Sequence, residues 1–442
     1  MRDYLVLAVV FSGLPIALRA PWIGALYYFW ISIMNPHQFA WSVAGNFRIA
    51  LMTAMATLVG FIFSREKKGF TPDLITVLTI LFCVHFTLTT FTALNPQLSW
   101  TEWSRTSKIF LMTFLAIFLF RDRNKLHWLI LVVTFSAAFY GVKGGFFTIA
   151  TGGQYMVWGP DESFFGGNTG LALVLNMILP FLLIPGMKSA KMTTRCFYLL
   201  CFFLTVVAIV GTYSRGGLVG LAAVMLAMFV TLPITAAKRL SIVLALMVAV
   251  AVGSFFVPQQ WYDRMKTITT YEQDASSMGR INAWWFAYNL ANDRPLVGGG
   301  FSTYTRELFL RYAPDPEDFH DSHSIFFEVL ADHGYVGLLL YLAIIACTVS
   351  SLFRLKRVCR SIGDLGWAND YATMVLCSIA GYLGNGLTLG LAYFDLFWLM
   401  ISMTICLKLI VRDHIKKMYM EHLAHRQGSA PGAQLSLSSR LA

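Results

Sequence analysis

Apolar stretches the length of a bilayer recur along almost the whole chain, and they dictate the fold class. A helix needs about 20 mostly apolar residues to cross the hydrocarbon core. Runs of that character occupy 46–64, 72–92, 107–120, 126–143, 169–186, 196–213, 216–233, 241–257, 334–353, 370–388 and 389–411. Inside lipid every backbone polar group must pair within its own segment, so such runs fold as helices. Residues 4–35 read as one long interrupted pass or two short ones, split at Arg19-Ala20-Pro21. The expectation is an all-α polytopic membrane protein with about twelve transmembrane helices, or about thirteen if 4–35 crosses twice.

Charge supports this class. Charged residues make up 13% of the chain, against roughly 25% in a soluble domain. A water-soluble enzyme, a disordered chain and a nucleic-acid-binding domain are all excluded as poor fits. The formal charge of +11 comes mainly from short loops between apolar runs. Seven cysteines lie in or beside those runs without paired ligand spacing, so neither a disulfide framework nor a zinc site is indicated. The N-terminal apolar run lacks a clear small-residue cleavage site and reads as retained.

Basic loops set the orientation. Arg65/Lys67/Lys68, Arg121/Arg123/Lys125, Lys188/Lys191/Arg195, Lys238/Arg239 and Arg354/Lys356/Arg357/Arg360 alternate with basic-poor connections. Placing them in the cytoplasm puts 93–106, 144–168 and 258–322 on the outer face. Four regions follow: N-terminal transmembrane helices over 1–257, a long periplasmic loop over 258–322, C-terminal transmembrane helices over 323–411, and a cytoplasmic, disordered tail over 412–442.

The 258–322 loop holds nine of the chain's 23 acids. A loop of that length usually has structure and function. Within it Ile281, Trp284, Trp285 and Tyr288 recur at i, i+3, i+4, i+7, one face of an amphipathic helix. Ser276 or Ser277 is placed to cap it, and Pro295 follows its end. Such a face suits either the membrane–water boundary or the loop's own core.

Three residues stand out as carriers of chemistry. Arg215 sits between two apolar runs in Tyr213-Ser214-Arg215-Gly216-Gly217. Its bland reading is an arginine snorkelling to headgroups; the glycine pair beside it lets backbone or ligand approach closely. Arg280 opens the loop helix, where a solvated or ion-paired arginine is the ordinary outcome. Two arginines at one surface would instead clamp a diphosphate, since guanidinium forks match phosphate oxygens. His323, in His320-Asp321-Ser322-His323-Ser324, is a natural general base near neutral pH. Most lone loop histidines have no such role, and His320 and His333 compete with it. A zinc site from His320, His323 and an acid has only i, i+3 spacing behind it. Asp315-Pro316-Glu317-Asp318 reads as a solvated turn. Walker, Rossmann and nucleophile-elbow motifs are absent from the sequence.

Taken in order, three elements resemble the O-antigen ligase superfamily. They are Ser214-Arg215-Gly216-Gly217; then Gly279-Arg280-x-x-Ala283-Trp284 leading to Arg294-Pro295-Leu296-x-Gly298-x-Gly300; then His323-Ser324-x-x-x-Glu328 through Gly334-Tyr335-Val336-Gly337. The resemblance is most specific over about 200–350, and the N-terminal half resembles the subgroup of O-glycosylation ligases. It implies a glycan donor on undecaprenyl diphosphate and transfer at the periplasmic face of a bacterial inner membrane. It implies that Arg215 and Arg280 hold the donor diphosphate and that His323 activates the acceptor hydroxyl, with Ser214, Gly216, Trp284 and Glu328 supporting. The family usually has His-Asn where this chain has His323-Ser324, so no role carries over to Ser324. No cofactor and no metal are expected. Metal-dependent lipid-linked transferases would place acids early in an outer loop, and residues 36–47 contain none.

The expected activity is that of an O-antigen ligase with a lipid A–core acceptor, in contact with membrane lipids and not with nucleic acid. A protein O-oligosaccharyltransferase with a protein acceptor and an O-antigen polymerase are the neighbouring alternatives. A transporter is the alternative of another class. It would need ionisable residues near mid-membrane, whereas the polar residues here concentrate in one outer loop.

Overall fold

The computed structural model describes residues 2–39, 48–64, 72–161, 163–233, 258–266 and 275–428, with isolated positions at 235, 237 and 239. The apolar run 241–257, the basic cluster Arg65/Lys67/Lys68 and residues 429–442 lie outside them. The helices are α1 (Arg2–Arg19), α2 (Pro21–Met34), α3 (Ile49–Phe63), α4 (Leu74–Phe91), α5 (Pro96–Leu119), α6 (Arg123–Ala150), α7 (Asn168–Lys188), α8 (Met192–Gly211) and α9 (Arg215–Thr231). They continue as α10 (Gln259–Lys266), α11 (Ala275–Asp293), α12 (Arg306–Tyr312), α13 (Ile325–Ser361), α14 (Gly366–Gly386) and α15 (Asp395–Gly428). Among the described residues there are no strands.

Helix starts follow local chemistry. Asp73, Asn95, Asp122, Ser214 and Thr305 each accept a first-turn backbone N–H, satisfying donors that have no partner inside the helix. Pro21 and Pro96 occupy the first turns of α2 and α5, where a missing N–H costs nothing.

Packing uses small residues, as it does where no water drives helices together. Gly141, Gly144 and Gly145 of α6 bring that backbone onto Thr205, Ala208 and Leu204 of α8. Helix α7 is the central post, buried over most of its length and packed by α8, α9 and α14.

Among the described residues, five helices are long and apolar enough to cross a membrane: α4, α6, α7, α8 and α13. Three shorter apolar helices, Leu7–Arg19, Ile49–Phe63 and Arg215–Thr231, stand beside them. The chain is thus a helical, multi-pass membrane protein. The expected twelve spans came from counting apolar runs; runs such as 107–120 belong to helices whose outer turns carry charges. Helix α5 begins at Pro96 and brings Glu102, Arg105 and Lys108 with it.

The two ends of the bundle differ. At one, Lys188 pairs with Asp370 at 2.5 Å, Arg123 lies over Trp367, and Lys408 reaches Asp73. At the other, the connections interlock. Val157 N–H donates to the Gly211 carbonyl, Leu94 N–H to the Gly299 carbonyl, and the Arg294 guanidinium to the Thr92 carbonyl.

The loop region has its own core. Ala283, Phe286, Ala287 and Leu290 of α11 pack with Phe309 and Tyr312 of α12 and Ala331 of α13. The buried stripe is therefore offset from the one expected. Phe286 is fully buried, whereas Trp285 and Tyr288 are 52% and 44% exposed on the opposite side. Phe286 stacks on Phe309 with centroids 4.6 Å apart, and that aromatic pairing sets the rotation of the helix. Residues 4–35 form two helices, broken at Ala20. Helix α15 continues through Gly428, past the boundary at 411.

Candidate functional site

The site is organised around a break in α13. Gly334 has φ 65° and ψ −167°, a backbone state open to glycine. The break leaves carbonyls of the preceding turn without helical partners. The strap 294–300 supplies them: Gly299 N–H donates to the Ala331 carbonyl and Gly300 N–H to the Asp332 carbonyl, both at 2.9 Å. In return Tyr335 N–H donates to the Pro295 carbonyl at 2.9 Å. The strap can lie this close only because it is glycine: a Cβ at Gly298 would stand 2.6 Å from the Ala331 carbonyl oxygen. This contact accounts for the pairing of the two glycine motifs in the sequence.

The segment 325–333 before the break carries Glu328 and Asp332 into a cavity of about 530 Å³. Glu102 and Arg105 of α5, Tyr304, Phe319, Asp321 and Tyr393 also line it. Asp332 is held firmly: Thr303 donates to Oδ1 through its N–H and its hydroxyl, and the Tyr393 hydroxyl donates to Oδ2 at 3.2 Å. Glu328 Oε2 accepts the Ala392 N–H at 2.9 Å. Burial, with Asp332 and Asp321 nearby, pushes the Tyr304 phenol well above its ordinary value, so it stays a neutral hydroxyl. Aromatic faces interleaved with carboxyl groups suit a ligand that is apolar on its faces and hydroxylated at its rim.

His323 stands at the start of α13 on a turn with φ 43°. Tyr213 and Ser302, at φ 56° and 58°, share this uncommon conformation at the same end of the bundle. Non-glycine residues held there tend to cluster at functional sites. Helix α11 holds the His323 turn from one side. Trp284 Nε1–H donates to the Ser322 carbonyl at 2.9 Å, and its ring stacks on Phe327. Asn282 donates to the carbonyls of Asp315 and Asp318 and accepts the Asp315 N–H. His320 packs over Gly279 and pairs with Asp318 at 3.0 Å.

Arg280 is close enough to His323 to act on it electrostatically. Burial lowers the His323 pKa below the ordinary 6.5, and the Arg280 cation and His320 lower it further, while Asp321 opposes them. The imidazole is thereby kept neutral, the form a general base requires.

Ser214 and Gly216 have local structural work. The Ser214 hydroxyl caps α9 by accepting the Gly217 N–H at 2.9 Å and donates to Thr169 at 3.2 Å. Gly216 lets the Thr388 hydroxyl approach α9. Arg215 begins that helix. Thr388 lies on the 387–394 connection, whose Gly390 faces Ser322 and Glu328; a Cβ there would stand 3.1 Å from the Ser322 hydroxyl. The α9 N-terminus and the His323 turn therefore flank one connection.

Residues 200–342 match a family described as O-Antigen ligase. That segment is similar to the O-antigen ligase superfamily. The matched segment contains Ser214, Arg215, Gly216, Arg280, Trp284, His323 and Glu328. Residues 1–172 match a family of unknown function (DUF5935). No curated protein matches the chain. The cavity joins both matched segments, because Glu102, Arg105 and Phe164 lie within 1–172 and Glu328 and Asp332 within 200–342.

Sequence reasoning missed Glu102, Arg105, Tyr304, Asp332 and Tyr393. The one available signal was the pair of charges at 102 and 105, set just ahead of an apolar run that did not need them.

Proposed function

We propose that the chain is an O-antigen ligase, moving a glycan from undecaprenyl diphosphate to a hydroxyl of a lipid A–core acceptor at the periplasmic face of the inner membrane. His323 takes the proton from the acceptor hydroxyl. The freed oxygen attacks the anomeric carbon, and the bond from that carbon to the diphosphate oxygen breaks. The electron pair leaves with undecaprenyl diphosphate, whose developing charge Arg215 and Arg280 stabilise. Fixed cations in a water-poor site act on such charge more strongly than in water. A positioned base typically adds about 10²–10⁴-fold. Direct displacement inverts the anomeric centre, so an α-linked donor gives a β product.

The observation that carries this reading is Arg280 of α11 acting on the buried imidazole of His323 and favouring its neutral form, beside a cavity of carboxyl groups and aromatic rings. A base, a phosphate-binding cation and a sugar-sized chamber are the parts this transfer needs.

The test is transfer by the purified full chain with undecaprenyl-diphosphate glycan and lipid A–core, in chelator, with His323→Ala alongside. Chelator-resistant β product on lipid A–core that is lost in the variant is expected. Product on a Ser/Thr peptide, or on a second carrier-linked glycan, would move the acceptor to the neighbouring branches. An α-linked product would overturn direct displacement, and full activity of His323→Ala would overturn the base.

A further inference from the structure

A second, larger hollow opens on the far side of Arg105. It measures about 790 Å³ and is framed by α2, α3 and α5. Its α2 and α3 walls are mostly apolar, with Ile31, Ile49 and Ala54 among them. Its third wall is the outer half of α5. Trp100, Ser104 and Lys108 recur there at i, i+4, i+8, and Thr101 and Arg105 form the neighbouring row. Arg48, the residue just before α3, completes a set of three cations with Arg105 and Lys108. Among the described residues no carboxylate lines this groove.

Arg105, Ser163 and Phe164 line both chambers, so the basic groove adjoins the cavity beside His323. The Arg105 guanidinium lies over the Phe164 ring at 3.7 Å and pairs with Glu102 at 3.8 Å. Charge is thus sorted across one side chain, with cations and apolar walls outside and carboxyl groups and aromatic rings inside.

We infer that the basic groove seats the phosphate-bearing headgroup of an anionic lipid acceptor, whose sugar then extends past Arg105 into the inner cavity. Guanidinium and ammonium groups against apolar walls suit a phosphate next to acyl chains. Geometry also calls for two portals. Both partners of the transfer proposed above keep their lipid anchors in the bilayer, so they approach the reacting centre from separate sides. Arg215 and Arg280 stand on α9 and α11, and α9 packs on α7, α8 and α14; the groove is framed by other helices. The words donor and acceptor rest on that transfer reading, while the affinity of the groove for an anionic lipid does not.

The experiment therefore measures binding and turnover separately. Native mass spectrometry of the detergent-purified full chain would compare lipid A–core, its dephosphorylated form and phosphatidylglycerol, for wild type and for Arg48→Gln with Lys108→Gln. The expected result is a loss of about tenfold in affinity for the phosphorylated lipid, none for the dephosphorylated one, and restoration by Arg48→Lys with Lys108→Arg. In transfer assays the acceptor KM should rise by a similar factor with the donor KM unchanged. An unchanged affinity or a rise in donor KM alone would overturn the assignment, and an equal loss for phosphatidylglycerol would overturn the acceptor as its occupant. If wild type transfers nothing to any acceptor, the functional reading fails, and the binding comparison still decides the groove.

Discussion

The indole N–H of Trp284 donates to the carbonyl of Ser322 across 2.9 Å, tying α11 to the turn that carries His323. Arg280 lies one helical turn before Trp284 on the same helix. Together with the Asn282 hydrogen bonds to Asp315 and Asp318, this bond sets how α11 lies against that turn. Stacking of Trp284 on Phe327 holds the other side of the ring to the first turn of α13.

Trp284→Phe should separate these two contributions. The stacked ring is kept, and the Ser322 carbonyl loses its donor. An unmet buried carbonyl costs about 1–3 kcal/mol, enough to loosen the turn without unfolding the helix bundle. Turnover should fall by about tenfold, with thermal stability little changed. Steady-state transfer beside a melting curve checks it. Wild-type turnover would remove the tie from the mechanism.

The His323 environment gives a signed pH prediction. Activity needs neutral imidazole, so it is lost as pH falls through the folded-state pKa. Burial and Arg280 lower that pKa, which puts the acid limb of kcat/KM below 6.5. Arg280→Gln removes a depressing cation and should move the limb to higher pH, whatever it does to its height. Asp321→Asn removes the opposing anion and should move it lower. A pH profile of the three proteins tests the direction of each shift, and a limb that stays put in both variants would mean another group titrates.

Much of this arrangement was legible in the sequence, for identifiable reasons. Apolar runs report helices directly, because a span must satisfy its backbone alone. The order of Arg215, Arg280, His323 and the glycine motifs carried the resemblance over the segment that matches the family, and the glycines are legible because a strap on a broken helix tolerates few substitutes. The rotation of α11 was not legible. Its Trp284-Trp285-Phe286 run offers an aromatic to every side, and only the partner Phe309 on α12 decides which one is buried. Nor was the cavity legible. Glu102 and Arg105 stand more than 200 positions from Glu328, and no local pattern links them.

The break in α13 makes a stability prediction. At Gly334 a side chain meets two obstacles: φ is 65°, and a Cβ would stand 2.6 Å from the Pro295 carbonyl oxygen. The conformation alone costs an L-residue about 1–3 kcal/mol, and the collision adds to that by pushing the strap off the Ala331 and Asp332 carbonyls. Gly334→Ala should therefore lower the unfolding temperature in detergent and reduce activity together. Gly363→Ala is the control, since nothing stands within 4 Å of a Cβ there. Equal melting of the two variants would contradict the strap's role.

Arg264 supplies the last prediction. Its Nε donates to the Tyr213 carbonyl at 3.0 Å, and Trp261 Nε1–H of the same short helix donates to the Val210 carbonyl at 3.3 Å. Helix α10 is thus clipped to the corner between α8 and α9, where Tyr213 holds φ 56° and its hydroxyl donates to the Gly153 carbonyl. That corner sets the direction in which α9 begins, and Arg215 is its first residue. Arg264 acts here as a positioning residue. Arg264→Gln should weaken donor binding by about threefold to tenfold, and kcat should fall less than the donor KM rises. Arg264→Lys lacks the planar Nε donor and should recover little. A purely structural clip would instead lower the melting temperature and leave the ratio of donor KM to acceptor KM unchanged, so measuring both constants in both variants separates the two roles.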